Sequence, residues 1–183
     1  MKLLVVSDIH GSLYYMNKIE EIIEKEKPTG IMLLGDLYYH GPRNPLTDEY
    51  NPSEVANKLN KHKEKILAVK GNCDAEVDQM ISEFKLENNI SLYSNGISMY
   101  FTHGHKFNID TMPPNSQNLD LLCYGHFHTG FIKRVDKMLI LNPGSISLPK
   151  GESTNSYAII EDNKVTLKDI NGNILDEQLI KNK

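Results

Sequence analysis

The chain has 183 residues, a length that fits one large core, and we expect residues 1–183 to form a single domain. Its 20 basic and 24 acidic residues give a net charge of -4, without the basic stripe that follows a nucleic-acid backbone. No apolar run reaches the length of a membrane span or a signal-peptide core. Two cysteines are too few for a disulfide framework, so we expect a cytoplasmic protein with reduced thiols.

Strand and helix patterns alternate in the first half of the chain. A β-branched run at 2–7 predicts a buried strand, and Ser12 then stands in the N-cap position of a helix that ends before Pro28. Further strands and helices are predicted at 30–35, 52–63, 65–71 and from 75 onward. With about thirty residues in each strand–helix unit, this alternation predicts a largely parallel sheet covered by helices.

Hairpin patterns replace this alternation after residue 90. Asn95 and Gly96 separate two alternating runs, which is a strong signal for a tight β-hairpin. The later segments read mostly as strands, and we expect them to form a second, more antiparallel sheet. The fold predicted is therefore α/β, a four-layer α-β-β-α sandwich of two packed mixed sheets flanked by helices.

Polar side chains that can bind metal follow the predicted strands. They are Asp8, His10, Asp36, Asn72, His103, His126 and His128. Because ligands bind at the carboxyl ends of strands in open α/β sheets, we expect these side chains to converge at that edge. Carboxylate, amide and imidazole ligands suit Mn²⁺, Fe or Zn²⁺, and one carboxylate between two groups of ligands would bridge two ions about 3.5–4 Å apart.

Each of these residues has an ordinary structural interpretation when it is taken alone. An aspartate after a strand is usually a cap or turn residue, and a single histidine is more often a hydrogen-bonded core or surface residue. The pair His126 and His128 is a stronger signal, because residues i and i+2 of an extended segment point the same way. The metal-site hypothesis therefore depends on the whole set.

Five short motifs carry a resemblance to a known family. "DIHG", "GD", "GNCD", "THGH" and "GHFH" stand in an order and spacing that resemble the calcineurin-like metallophosphoesterases. "HGPRN" and "NPGS" are similar to segments of the small YfcE-type phosphodiesterases within that superfamily. The motifs extend from Leu3 to about Lys150, and the strand pattern continues the resemblance beyond them. The resemblance implies one metallophosphoesterase domain over residues 1–183.

The resemblance also implies a ligand set for two divalent ions. One ion would be held by Asp8, His10 and His128, the other by Asn72, His103 and His126, with Asp36 as the bridge. The expected ions are Mn²⁺ in the first place, with Ni²⁺, Fe²⁺ or Zn²⁺ as alternatives. A hydroxide bridging them would attack a phosphate diester in line.

Four residues are expected to take part in catalysis: Asn72, His103, Cys73 and Arg43. Many members of the superfamily have histidine at the position of Cys73, and we expect slower hydrolysis of esters with poor leaving groups without it. The alternative is that Cys73 is a small packed turn residue. Arg43 is the best candidate for binding phosphate, although it could instead pair with Asp48 or Glu49.

The function predicted is a metal-dependent phosphodiesterase acting on a small phosphate-diester substrate. The alternatives are a phosphomonoesterase that uses the same site and a non-catalytic scaffold like the retromer subunit Vps29. His40 and His105 exceed the expected ligand count and are predicted to orient ligands or contact substrate, and Asn142 of "NPGS" to bond to a ligand residue. We expect no membrane association and no strong nucleic-acid signature, and homo-oligomerisation stays open.

Overall fold

The structure is a computed structural model that describes residues 1–181. Its helices are α1 (Leu13–Glu26), α2 (Pro52–Asn60) and the single turn α3 (Asp78–Ile81). Its strands are β1 (Lys2–Val6), β2 (Gly30–Leu33), β3 (Ile66–Val69), β4 (Leu86–Glu87), β5 (Asn89–Ser94), β6 (Ile97–Thr102), β7 (Leu121–Tyr124), β8 (Gly130–Val135), β9 (Met138–Pro143), β10 (Ser156–Glu161), β11 (Lys164–Asp169) and β12 (Ile174–Leu179). Two short 3-10 turns occupy Lys63–Lys65 and Ser116–Asn118.

The strands form two mixed sheets. The first has seven strands in the order β12-β11-β10-β1-β2-β3-β4, and the second has five in the order β5-β6-β7-β9-β8. β1 to β4 are parallel neighbours, as the alternation of strands and helices predicted. In the second sheet, β6 and β9 each run parallel to β7, whereas the outer strands are antiparallel.

The last three strands are not where the sequence pattern placed them. β10 pairs antiparallel with β1, and β11 and β12 continue the first sheet outward from it. The expectation that the later strands all join a second sheet was therefore wrong. β1 is buried on both faces, so the backbone groups along both of its edges need hydrogen-bonding partners. β2 pairs with one edge, and β10 pairs with the other. Alternation along β10 predicts a strand but not its partner.

Helix α1 follows its predicted boundaries. The Ser12 side chain accepts a hydrogen bond from the Tyr15 backbone N–H at 3.3 Å, which caps the first turn. Met16, Ile19 and Ile22 form its buried face. The third predicted helix is only one turn long, because the backbone becomes extended at Ser82 and Phe84 then packs into the core.

The core has layers on both faces of each sheet. One apolar cluster fills the space between the helices and the first sheet, and a second lies between the two sheets. The outer face of the second sheet is covered by segment 103–120, which contains one 3-10 turn and no α-helix. The α/β fold of two packed mixed sheets is thus confirmed, whereas the outer layer on the second sheet is a loop segment and not the predicted helix. No helix within residues 1–181 is long and apolar enough to cross a membrane.

Truncation of Phe101 tests the packing between the sheets. Phe101 has 0% exposure, and Phe101→Ala should lower the free energy of unfolding by about 3–5 kcal/mol because it leaves a cavity there. The matched control is Tyr93→Ala, since Tyr93 lies in the same sheet with 77% exposure and should cost less than about 1 kcal/mol. Urea unfolding measures both, and equal losses would contradict this description of the core.

Candidate metal centre

The loops that follow five strands meet at one edge of the sandwich. β1 is followed by Asp8 and His10, β2 by Asp36, β3 by Asn72, β6 by His103, and β7 by His126 and His128. Five of these residues have a left-handed backbone, with φ of 58° at Asp8, 50° at His10, 55° at Asp36, 66° at His126 and 60° at His128. Such strained positions persist where the surrounding structure holds them in place, and they cluster at functional sites.

The first group of donors surrounds one oxygen of Asp8. Oδ1 of Asp8 lies 3.2 Å from Nε2 of His128 and 3.7 Å from Nε2 of His10, and the two Nε2 atoms are 3.3 Å apart. Nδ1 of His10 donates to the Tyr39 carbonyl at 2.7 Å, and Nδ1 of His128 to the Leu148 carbonyl at 2.6 Å. These bonds fix each ring and direct its Nε2 toward Asp8.

The second group is built around His103. Its Nε2 lies 3.0 Å from Oδ1 of Asn72 and 3.2 Å from Nδ1 of His126, while its Nδ1 donates to the Leu34 carbonyl at 2.7 Å. Oδ2 of Asp36 lies 3.3 Å from Nε2 of His103 and 3.7 Å from Nε2 of His10. The carboxylate of Asp36 therefore touches both groups.

These donors are of the types that bind divalent cations. The structure brings together all seven residues that the sequence predicts as ligands. Within this set, smaller groups have donor atoms close enough to share one ion. Asp8, His10 and His128 form one such subset, and Asp36, His103 and His126 form another, each with donor atoms within 4.8 Å of one another. Oδ1 of Asp8 is buried and accepts no hydrogen bond within the described residues, so it is available for a ligand.

The protonation pattern shows that the cluster attracts positive charge. Burial alone would raise the pKa of Asp8, but the adjacent imidazoles of His10 and His128 hold that pKa well below its ordinary value. Burial also opposes charge on His103, yet its bond to Asp36 and the charge of Asp8 raise its pKa to about 9. Burial and the charge of His103 lower the pKa of His126 to about 4. The carboxylates of Asp8 and Asp36 thus favour a positive charge at the position of His103.

Asp74 connects two of the ligand loops, and sequence analysis did not identify it. Its carboxylate accepts backbone N–H groups from Asp36 at 2.7 Å, Leu37 at 2.7 Å and Gly71 at 2.8 Å. Burial and the nearby charge of Asp36 raise the pKa of Asp74 to about 6 despite these three bonds. Its position next to the "GNC" turn was the available signal, but an aspartate there is ordinary in any turn.

Gly71 is required for space rather than for backbone freedom. Its φ is not positive, but a Cβ atom there would lie 2.1 Å from Oδ1 of Asp36 and 2.4 Å from its backbone nitrogen. The close approach of the two loops therefore depends on the missing side chain. Gly71 therefore allows the turn that carries Asn72 to pack directly against Asp36.

Cys73 is half-buried beside the cluster. Its backbone N–H donates to Oδ1 of Asp36 at 2.8 Å, and the Asn72 amide donates to its sulfur at 3.3 Å. Burial and the charge of Asp36 raise the pKa of the thiol to about 12, so it stays protonated at neutral pH. Cys73 also forms a possible donor group with His10 and Asp36, which the sequence did not predict.

A cavity of about 720 Å³ opens in front of the cluster. Arg43 lines it, and within residues 1–181 this side chain makes no ion pair with Asp48 or Glu49. Lys150 lines it as well, held by a backbone bond to the His128 carbonyl at 3.0 Å, and sequence analysis missed this cation. Two basic side chains thus face the cluster from separate loops.

Three other nominated residues lie near the cluster without entering it. His40 is adjacent to Tyr39, whose carbonyl holds His10, and its Nδ1 is buried without a partner in the described part of the chain. The ring of His105 lies 5.4 Å from that of His103. Asn142 donates to the Gly125 carbonyl at 2.8 Å, so it supports the loop before His126 rather than a ligand side chain.

Comparison with known proteins gives consistent matches. The sequence model of the family described as "Calcineurin-like phosphoesterase superfamily domain" matches residues 1–164. The chain is 37% identical over 174 residues to Phosphodiesterase YfcE of Escherichia coli K12, covering 93% of each protein. A solved structure of YfcE, described as a phosphoesterase from E. coli, superposes with a TM-score of 0.94 at 34% identity and covers 99% of this chain and 100% of the other.

The scaffold protein named among the alternatives shares the fold at a greater distance. The Vps29 structure from Chaetomium thermophilum gives a TM-score of 0.69 at 17% identity and covers 100% of both chains. At that identity the likeness extends to the fold alone.

Substitution of Gly71 tests the contact between the ligand loops. Gly71→Ala should weaken Mn²⁺ binding by about 10–100-fold, because the new methyl group displaces Asp36. Calorimetric titration of metal-stripped protein measures the affinity. Gly30→Ala is the matched control, since Gly30 also lacks a positive φ, and its Cβ would meet the flexible Leu3 side chain at 3.1 Å and the Lys65 carbonyl at an ordinary 3.8 Å. Native affinity in Gly71→Ala would contradict the proposed contact.

Proposed function

The chain belongs to the calcineurin-like phosphoesterase superfamily, and from that premise we propose that it is a metal-dependent phosphodiesterase with a two-metal centre. One observation carries the proposal. Two groups of nitrogen and oxygen donors lie side by side, and the Asp36 carboxylate contacts His10 of one group and His103 of the other. A shared carboxylate offsets the repulsion between two dications, which is the arrangement that phosphoryl-transfer centres use.

The ligand assignment follows the two groups. We propose Asp8, His10 and His128 for one ion and Asn72, His103 and His126 for the other, with Asp36 as bridge. Bound cations there would supply Lewis acidity, activating water and neutralising phosphate charge. Mn²⁺ is the proposed ion, because mixed imidazole, carboxylate and amide ligands suit it, with Ni²⁺, Fe²⁺ and Zn²⁺ as alternatives.

The residues of the cavity have separate roles in handling a substrate. Arg43 presents a planar guanidinium that can bind two phosphate oxygens, and Lys150 adds a second positive charge. Asn72, which lines the cavity, is bonded to the buried His103, and this pair orients the reacting phosphate. The protonated Cys73 thiol is a poor hydrogen-bond donor and gives the leaving oxygen little help. Esters whose leaving group needs little protonation should therefore be hydrolysed fastest.

This reasoning favours diesters over monoesters. A diester carries one negative charge, which Arg43 and Lys150 can offset, and the cavity of about 720 Å³ leaves space for two ester substituents. The relative at 37% identity is itself named a phosphodiesterase. A Vps29-like scaffold would not need the complete donor set that this chain retains.

Three further statements stay predictions. They are that residues 1–183 form one metallophosphoesterase domain, that the protein works in the cytoplasm, and that it acts on a small diester without a strong nucleic-acid signature. Homo-oligomerisation stays open.

Paired chromogenic esters test the proposed reaction. Metal-stripped protein titrated with Mn²⁺ should hydrolyse bis(p-nitrophenyl) phosphate in preference to p-nitrophenyl phosphate. Asp36→Asn should lower kcat/KM by more than about 100-fold, because it removes the charge shared by both groups. Asp110→Asn, which removes an exposed carboxylate outside the cluster, is the matched control and should keep native activity.

Each other outcome has a definite meaning. Preference for the monoester would overturn the diesterase assignment in favour of a phosphatase. Absence of turnover with Mn²⁺ demonstrably bound would overturn the enzyme assignment in favour of a scaffold.

A further inference from the structure

A second cavity, of about 380 Å³, adjoins the candidate metal centre at the seam between the two sheets. Its polar lining comes from the end of β3, the start of β5 and the segment after β6. The side chains that matter are those of Lys70, Asn88, Asn89, Thr102, His105 and Lys106. Neither the family match nor the main cavity accounts for this group.

The lining is basic and lacks a compensating acid. Lys70 and Lys106 both face the cavity, and neither forms an ion pair within the part of the chain that the structure describes. No acidic side chain of residues 1–181 lines the cavity, and Glu87, which precedes Asn88, is already paired with Lys85. Two free ammonium groups therefore converge on one space in a protein whose net charge is -4, and they give that space a local attraction for anions.

The backbone around the cavity is fixed by the sheets. The Lys70 N–H donates to the Glu87 carbonyl at 2.7 Å, which continues the pairing of β3 with β4. Asn89 is paired with Thr102 in the β5–β6 hairpin. Asn89 and Thr102 thus present polar groups from regular strands. Lys70 follows β3 directly, and its backbone is fixed by the bond to Glu87.

The cavity shares a wall with the metal-binding residues. Gly71, which lines it, directly precedes Asn72, which lines the main cavity. The ring of His105 lies 5.4 Å from that of His103 and 6.2 Å from that of His126. A substrate whose scissile phosphate lies at the metal centre would have to extend past Asn72 and His126 to reach the second cavity.

From this arrangement we propose that the second cavity binds a further phosphate group of the substrate, through Lys70 and Lys106. This inference rests on the proposed phosphodiesterase function and narrows its substrate class to diesters that carry a second phosphate. The lysine ammonium groups provide the charge, and the Asn88, Asn89 and Thr102 side chains provide neutral hydrogen-bonding groups for the remaining oxygens. Lysine is suited to this because it binds phosphate as a point charge.

A pair of dinucleotides tests the assignment. Native protein loaded with Mn²⁺ should cleave a thymidine dinucleotide that carries a 5′-phosphate with a kcat/KM about tenfold higher than the same dinucleotide without it. Lys70→Gln/Lys106→Gln should reduce that ratio to about one, because both charges are lost. Chromatography of the products separates cleavage of the diester from loss of the terminal phosphate.

The matched control removes the same charge elsewhere. Lys61→Gln/Lys65→Gln neutralises two exposed lysines near the other end of β3 and should keep the native preference. The native ratio should also fall as salt is raised, since the attraction is electrostatic. A ratio of one in native protein, or an unchanged ratio in Lys70→Gln/Lys106→Gln, would overturn the proposal.

A binding measurement separates this inference from the proposed reaction. Inorganic phosphate added to metal-free protein should shift the amide NMR signals of Gly71 and Phe107, and Lys70→Gln/Lys106→Gln should abolish those shifts. Failure to hydrolyse bis(p-nitrophenyl) phosphate would overturn the reaction, while the phosphate titration would still test the cavity. Phosphate binding without any preference between the dinucleotides would overturn the assignment to substrate.

Discussion

Asp36 is fixed through both its backbone and its side chain, and the two groups of metal-binding donors meet at its carboxylate. Its N–H donates to Asp74 at 2.7 Å, and its Oδ1 accepts the Cys73 N–H at 2.8 Å. The other oxygen is left to face His10 and His103. Since Asp36 follows β2 and Cys73 follows β3, the parallel pairing of these strands determines the spacing of the whole centre.

The Asp8 side of the centre is fixed in a similar way from the opposite direction. The Asp8 carbonyl accepts from the Ser145 and Ser147 hydroxyls, each at 2.8 Å, and its Oδ2 accepts the His126 N–H at 3.0 Å. The "NPGS" turn therefore holds the loop after β1 in place. Gly125 lets the β7 loop approach, because a Cβ atom there would lie 1.8 Å from the Ser7 hydroxyl. The two sheets thus contribute loops that hold each other.

Local patterns in the sequence were sufficient for the parts of the fold made by neighbouring residues. The Ser12 cap, the Asn95–Gly96 hairpin and the donors after each strand all follow from short-range chemistry. The pairing of β10 with β1 is long-range and leaves no local mark, which is why the later strands were assigned to the wrong sheet. Alternating apolar residues specify a strand but not its neighbour.

Some residues of the site could be predicted from the sequence, and others could not. Residues that offer ligand atoms, such as Asn72, are recognisable by type and by position after a strand. Asp74 and Lys150 are not, since one acts through backbone N–H groups and the other reaches the cavity from a distant loop. The contact between Gly71 and Asp36 could not be predicted either, because it exists only when two loops are folded together.

The proposed function rests on where the negative and positive side chains lie around the centre. Buried carboxylates recruit positive charge, whereas the cavities on either side present Arg43, Lys150, Lys70 and Lys106 to an anionic substrate. Positive and negative potentials thus lie side by side at this edge of the sandwich, although the overall charge is -4. That separation is the physical basis for proposing phosphate-ester hydrolysis rather than metal storage.

The most direct measurement is the stoichiometry and magnetic coupling of bound Mn²⁺, followed by electron paramagnetic resonance during titration of metal-stripped protein. A two-metal centre bridged by Asp36 predicts two ions per chain and a spectrum of an exchange-coupled pair, which becomes uncoupled or single in Asp36→Asn. One ion per chain, or two uncoupled ions in native protein, would contradict the bridge.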